Sequence, residues 1–167
     1  MAEHPLLIFA VDSANPPLNI LFDALVLEGY SVSFSLGISG EANSKELASP
    51  EWEAAFLRWQ KPEIHEVLLL ERLDFEEEEC QALLSSFKKK VSRHEDEVGK
   101  RIVLNHFENT KAIYAVQILP TLIQDEDHAA WDALELLMRT LALQTGGLIY
   151  AEAEGFCDAE GELLLAE

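Results

Sequence analysis

The segment from Gln144 to Glu167 holds the residue types in this chain that could most readily bind a ligand. It reads QTGGLIYAEAEGFCDAEGELLLAE and places carboxylates at Glu152, Glu154, Asp158 and Glu160 among glycines. Carboxylates at alternate positions around a glycine could bind calcium. The spacing does not fit, because a calcium loop needs a central glycine and a glutamate at its last position. We therefore predict no metal ligand here.

An acidic β-ribbon accounts for the same segment without a ligand. The stretch GLIYAEA alternates like a strand, DAEG fits a type I turn, and ELLLAE returns. Gly146 and Gly147 follow a helical pattern instead of opening one, and no lysine comes after them, which excludes a phosphate loop. We predict a hairpin appended to the sheet, with a glutamate-rich outer face and a positive φ at Gly161.

The histidines and cysteines form no catalytic or metal-binding pattern. The chain has five histidines and two cysteines, and none of them fits HExxH, HxH or a Cys–His spacing. The motif GxSxG of a serine nucleophile is missing too. The best enzyme candidate pairs His65 or His106 with a neighbouring acid, Glu66 or Glu108. We predict no catalytic residue and no cofactor.

Net charge is the strongest compositional signal. Thirty-one acidic residues against twelve lysines and arginines give a charge of -19. Such a surface repels nucleic-acid phosphates and anionic lipid and attracts basic proteins. We expect a basic protein as the partner, with no nucleic acid and no membrane, and a homo-oligomer is compatible with the same composition. Most of the basic residues lie between Lys88 and Lys111, where they complement the negative end of a helix.

Length and cysteine content predict one cytoplasmic domain, residues 1–167. A chain of 167 residues with 49% hydrophobic residues has the size and composition of a single globular domain. The apolar run LLIFAV lacks a basic leader, and no stretch approaches the ~20 apolar residues of a membrane helix. Cys80 and Cys157 are too few for a disulfide framework, so we expect two reduced thiols.

The hydrophobic pattern predicts an α+β fold. Strands are expected at PLLIFAVD, YSVSFSL, IHEVLLLERL and KAIYAVQILP, and GISGEANSKELA is expected to be a loop. Helices are expected after an N-cap at Asn15, from about Phe75 to Val98, and from about His128 to Thr145 with Asp125 or Asp127 as its cap. The segment RIVLNHFENT is ambiguous between strand and helix.

This order of elements predicts a ferredoxin-like split β-α-β sandwich with an extra C-terminal helix and β-hairpin. Its mixed sheet would carry helices on one face. An open α/β sheet is the alternative. The alternating serines of YSVSFSL argue against it, because a strand covered on both faces is apolar on both.

Two functional hypotheses follow. The ending helix–TGG–strand–turn–strand is similar to the ends of small bacterial α+β proteins, including some immunity proteins to secreted toxins. With the negative charge, this favours a non-enzymatic, immunity- or inhibitor-like binding module that uses Glu152, Glu154, Asp158 and Glu160. The alternative is a small-molecule-binding enzyme or sensor. Its pocket would lie between the sheet and a short helix starting at Ser49–Pro50. The residues of that helix that would line the pocket are Trp52, Phe56 and Trp59.

Overall fold

A computed structural model of the chain shows one sheet with helices on both faces, and it describes residues 6–37, 40–60, 63–123 and 128–167. Within these ranges the strands are β1 (Leu6–Ala10), β2 (Val32–Ser35), β3 (Ala54–Trp59), β4 (His65–Asp74), β5 (Ala112–Ile118), β6 (Leu148–Ala151), β7 (Gly155–Cys157) and β8 (Leu163–Ala166). The helices are α1 (Leu18–Leu27), α2 (Ser44–Ala48), α3 (Glu78–Ser92), α4 (Glu97–Glu108), α5 (Pro120–Ile123) and α6 (Ala129–Thr145).

The sheet has the order β2-β3-β4-β5-β1-β6-β7-β8, and neighbouring strands are antiparallel. The predicted α+β class is confirmed. The finer expectation of a ferredoxin-like order is not confirmed. In a split β-α-β unit one antiparallel strand lies between the two strands that the helix joins, whereas here β3, β4 and β5 all lie between β1 and β2.

Side chains that alternate along β1 divide the core into two layers. Ile8 and Ala10 pack into the layer under α1 and α6, and Leu7 and Phe9 pack into the layer under α3 and α4. The expectation of helices on one face is therefore wrong, because β1 is apolar on both of its faces. No helix in the described ranges combines the length and apolarity needed to span a membrane.

The serines of β2 do not form a solvated face. Ser33 and Ser35 are buried, since Gln60 donates a hydrogen bond to Ser33 Oγ and Ser35 Oγ donates one of 3.0 Å to the Gly37 carbonyl. Small hydroxyl groups can be buried when a partner satisfies them. The alternating serines, which indicated a solvent-facing side, are thus short side chains that are buried and hydrogen-bonded in an edge strand.

The predicted helix from Phe75 to Val98 is two helices. The first, α3, ends at Ser92, and α4 begins after Asp96, whose carboxylate accepts a 3.1 Å hydrogen bond from the Gly99 amide. Val98 is 68% exposed and belongs to α4. The ambiguous segment 101–110 lies mostly within α4 and is helical. The apolar spacing continues across the break between the helices, so periodicity alone could not reveal it.

The predicted short helix at Trp52, Phe56 and Trp59 is wrong. Trp52 precedes β3, and Phe56 and Trp59 lie within that strand, which pairs with β2 and β4. The alternation of the strand is carried by Ala55, Leu57 and Trp59, whose side chains share one face. The spacing of Trp52, Phe56 and Trp59 does not show it, because Phe56 and Trp59 point to opposite faces.

Two further assignments near the start of the chain differ. The segment predicted as a loop contains α2, which begins with a capping box between Asn43 and Glu46. Helix α1 follows Pro17 and has no side-chain cap, so Asn15 is not its N-cap. The side chain of Asn15 makes tertiary hydrogen bonds instead.

The end of the chain follows the prediction closely. Helix α6 ends at Thr145, and Gly146 terminates it with a φ of 63°. The proposed caps Asp125 and Asp127 lie outside the described residues. The segment beyond forms three short strands, β6 to β8, instead of a two-stranded ribbon. Gly161 has the predicted positive φ, at 89°.

Candidate functional site

A groove of about 670 Å³ lies between α6 and the strands β1, β5, β6 and β7. We call it the α6 groove. Its floor is apolar, and its rim carries four carboxylates and one guanidinium. The apolar floor consists of Leu6, Ile118, Trp131, Leu134, Met138 and Ile149.

Helical and strand periodicity bring the floor residues together. Trp131, Leu134 and Met138 recur at helical spacing and form one stripe on α6. Ile149 and Ala151 alternate on β6 and point to the same face of the sheet. The helix stripe therefore lies above the strand residues, and half-buried Trp131 closes one side of the groove.

The rim carboxylates come from two parts of the chain. Asp132 and Glu135 are on α6, and Glu152 and Glu154 are in the turn between β6 and β7. All four are exposed. Among residues that the structure describes, no lysine or arginine lies within ion-pair distance of any of them. The rim thus presents negative charge from both sides.

Arg139 also lines the groove, and its donors are held by the main chain. Its Nε donates to the Ala159 carbonyl at 3.3 Å, and its Nη2 donates to the Glu160 carbonyl at 3.0 Å. These bonds tie α6 to the turn before β8. The guanidinium therefore has a structural partner and leaves the four rim carboxylates without one.

Cys157 forms part of the groove wall and reflects the local charge. Burial raises the pKa of its thiol, nearby Asp158 and Glu154 raise the pKa further, and Arg139 opposes them. The thiol is therefore protonated near neutral pH. Cys157 is free, as is the fully buried Cys80.

The four acidic residues singled out in the sequence have different positions. Glu152 and Glu154 lie on the rim of the α6 groove, at a turn where Ala153 has a φ of 70°. Asp158 builds the next turn, because its Oδ1 accepts from the amides of Glu160 and Glu162 at 3.0 and 2.9 Å. The side chain of Glu160 is exposed beside that turn.

The aromatic candidates do not form the pocket expected for them. Trp52 is only 5% exposed, and its indole N–H donates to the Pro16 carbonyl at 2.7 Å. Trp59 lies against Tyr30, with ring centroids 5.9 Å apart, and Phe56 is half-buried within β3. Trp52 is thus a core residue. The predicted pocket between the sheet and a short helix is not present, because the residues expected in that helix precede or form β3.

The histidine–acid pairs considered for catalysis are not in contact. His65 hydrogen-bonds to a main-chain carbonyl at 2.8 Å, and Glu66 lies 3.6 Å from Arg58. His106 Nε2 is 2.6 Å from the Phe9 carbonyl, and Glu108 pairs with a lysine at 3.3 Å. Neither histidine is oriented by an acid as a general base would be.

The basic cluster lies on the other side of the sheet, on α3 and α4. Lys89 and Lys90 are in the last turn of α3, as the charge pattern of the sequence predicts. Lys88, Lys90 and Lys100 make ion pairs with glutamates. The lysines and arginines of α3 and α4 are therefore largely balanced by acidic residues, and they lie on the opposite side of the sheet from the acidic groove beside α6.

The contribution of α6 to this site was not predicted from the sequence. The helix reads as apolar nearly all round, yet Asp132, Glu135 and Arg139 recur at helical spacing and are exposed. That polar stripe, next to Trp131 and Met138, is the signal that marks one wall of a groove.

In the described part of the chain, no group of three or more His, Cys, Asp or Glu side chains is arranged to hold a metal ion. No protein-family model matches the chain. No curated protein and no solved structure matches it either.

Proposed function

We propose that this chain is a non-enzymatic, cytosolic binding module that captures a basic protein in the manner of an immunity protein or inhibitor. The observation that carries the proposal is the set of four exposed rim carboxylates, which have no lysine or arginine partner among the residues that the structure describes. The overall charge of -19 makes the long-range field of the chain negative as well. A basic partner would supply the missing positive charge.

Charge alone would contribute more to the rate of association than to affinity. An exposed ion pair adds only about 0–1 kcal/mol, because water screens it and two long side chains lose freedom. A complementary field instead steers the encounter and disfavours wrong partners. Affinity would therefore need buried apolar contact as well, and the floor of the α6 groove offers an apolar surface beside the charges.

The test starts with the full chain as bait in a lysate of its own host, followed by purification of any basic protein that is captured. Association and dissociation rates are then measured with the purified partner. We expect the association rate constant to fall steeply between about 0.01 M and about 0.15 M salt. An association rate constant that does not change with salt concentration would contradict a charge-steered encounter.

Charge reversal locates the effect. The triple variant Glu152→Lys, Glu154→Lys and Glu160→Lys should slow association more than it speeds dissociation. Glu51 and Glu53 are exposed, have the same spacing as Glu152 and Glu154, and precede β3, far from the groove in the sheet order. Their reversal is the matched control for reversal of Glu152 and Glu154 alone, because both pairs change the net charge equally. Equal slowing by both sets would mean that net charge acts without a local surface.

A further inference from the structure

The geometry points to a specific occupant of the α6 groove: a basic amphipathic segment of the partner protein. A large apolar side chain of that segment would lie on the groove floor, with lysines or arginines on either side of it. This inference rests on the proposed function and deepens it, since it names both the docking surface and the chemistry of the segment.

The floor sets the apolar part of the occupant. A volume of about 670 Å³ falls within the range of about 300–1,000 Å³ that is usual for ligand sites. Half-buried Trp131 offers a rigid aromatic surface, and half-buried Leu6 and Ile118 offer aliphatic surface beside it. An aliphatic or aromatic side chain would displace water from this apolar surface, whereas a purely polar segment would leave the surface hydrated.

The rim sets the charged part. Asp132 and Glu135 stand on the helix side, and Glu152 and Glu154 stand on the turn side. A segment lying between them meets carboxylates on both flanks. Positive charge on both flanks of the segment would therefore be favoured, and an acidic segment would be repelled.

The cationic groups of the chain itself suggest one competing occupant. Lys89, Arg93 and Arg101 are exposed on the α3–α4 surface, on the opposite side of the sheet from the groove. A second copy that inserted this surface into the groove would make a head-to-tail contact, which builds rings or filaments instead of a two-fold dimer. We commit to a segment from another protein, and the competing arrangement becomes one outcome of the test.

The experiment uses three synthetic peptides of equal length with the full chain. The first alternates lysines with leucines around one tryptophan, the second replaces its apolar residues with serine, and the third replaces its lysines with glutamate. Binding is followed by calorimetry, and the rate of alkylation of Cys157 reports whether the groove is covered. We expect the first peptide to bind at least about tenfold more tightly than the others and to slow alkylation of Cys157.

Variants of the floor and rim test the location. Ala151→Phe fills the groove, and Trp131→Ala removes part of its wall. Each should weaken binding of the first peptide about tenfold, as should the pair Glu152→Lys and Glu154→Lys. The pair Glu51→Lys and Glu53→Lys should not. Urea denaturation of each variant shows that it is folded, and two groove variants are used so that one unstable protein does not decide the result.

The outcomes separate this inference from the proposed function. If the captured partner binds Ala151→Phe and Trp131→Ala normally but responds to salt and to rim charge, the protein binds a basic partner outside the groove and this inference is wrong. If no basic protein or peptide binds the parent chain, both proposals fail. Self-association in sedimentation that disappears with Glu152→Lys and Glu154→Lys would assign the groove to a second copy and overturn the occupant named here.

Discussion

The hydroxyl of Tyr114 donates a hydrogen bond of 2.8 Å to the side-chain oxygen of Asn15. The amide nitrogen of Asn15 in turn donates to the carbonyls of Pro50 and Trp52, at 2.9 Å each. One side chain thus joins β5 to the segment before α1 and to the segment before β3. Burial raises the pKa of Tyr114 to about 12, so its hydroxyl remains a donor across the ordinary pH range.

Replacing Asn15 should therefore reduce stability. Asn15→Ala removes three hydrogen bonds and leaves the buried Tyr114 hydroxyl without its partner, at a cost of about 1–3 kcal/mol. Tyr114→Phe removes only one of the three bonds and should cost about 1 kcal/mol. The free energy of unfolding in urea measures both. Equal losses for the two variants would show that the bonds from Asn15 to the main chain contribute nothing.

Gly99 should resist the substitution that usually strengthens a helix. Gly→Ala inside a helix normally adds about 0.5–1 kcal/mol. A Cβ at Gly99, however, would lie 2.5 Å from the Leu164 carbonyl oxygen and 2.9 Å from Leu165 Cδ1. Helix α4 would have to move away from β8, so we expect Gly99→Ala to cost about 1–3 kcal/mol net.

Asn105→Ala is the control for that substitution. Asn105 is exposed on the same helix, and its carbonyl, which accepts a bond from Asn109, is retained. Thermal or urea unfolding should show no loss for this variant. Stabilisation by Gly99→Ala would mean that α4 and β8 are farther apart in solution.

The histidine in the last turn of α4, His106, should make stability depend on pH. Burial lowers the pKa of His106 below its ordinary value, and the hydrogen bond to the Phe9 carbonyl only partly opposes this. The unfolded chain therefore takes up a proton at this residue before the folded chain does. Stability from this group is complete above about pH 6.5 and is lost as pH falls through the lower pKa of the folded state.

His106→Gln isolates that contribution. Glutamine can still donate to the Phe9 carbonyl but does not titrate. Between about pH 7.5 and about pH 5.5, the unfolding free energy of the variant should fall less than that of the parent chain. Above about pH 8 the histidine is neutral in both the folded and the unfolded state. The difference in unfolding free energy between the two proteins should therefore not change with pH there. Parallel curves over the whole range would contradict the assignment.

The two thiols should react at different rates. Cys80 is fully buried, and burial with nearby Glu77 raises its pKa to about 11. Cys157 is half-buried in the groove wall, so a reagent reaches it more easily than it reaches Cys80. A thiol reagent should label Cys157 first and Cys80 only as the protein unfolds.

Cys157→Ser identifies the faster phase. In that variant the early labelling should disappear, and the remaining phase should accelerate with urea as global unfolding becomes frequent. Mass spectrometry of the labelled protein assigns each site. Labelling of both cysteines at one rate would mean that the groove opens only together with the core.

Local patterns predicted most elements but not their arrangement. β1, β4 and α6 follow from runs of apolar residues whose length and spacing fit one structure only. β3 was not predicted because Trp52, Phe56 and Trp59 follow a helical spacing, whereas the alternation of Ala55, Leu57 and Trp59 is short. The α3–α4 break was missed because apolar residues continue through it, although Asp96 carries the signal of a new N-cap.

The α6 groove could not be predicted from one segment. Its helix wall comes from α6, and its other wall comes from the β6–β7 turn. They meet because β6 pairs with β1, with Ile149 opposite Ile8. Strand order is a property of the whole sheet and leaves no mark on the residues of a single strand. Glu152 and Glu154 were recognised as acidic candidates. Trp131 and Met138 were expected to be largely buried, and Met138 is in the core, but half-buried Trp131 also lines the groove.

The central position of β1 has a consequence for how the protein is made. β2, β3 and β4 are consecutive antiparallel neighbours and can pair as soon as they leave the ribosome. β1 emerges before them and must wait for β5, which begins at Ala112, and for β6, which begins at Leu148. The apolar strand at Leu7, Ile8 and Phe9 therefore has no strand partner until β5 has been made. Such late, long-range pairing slows folding and leaves β1 open to aggregation until then.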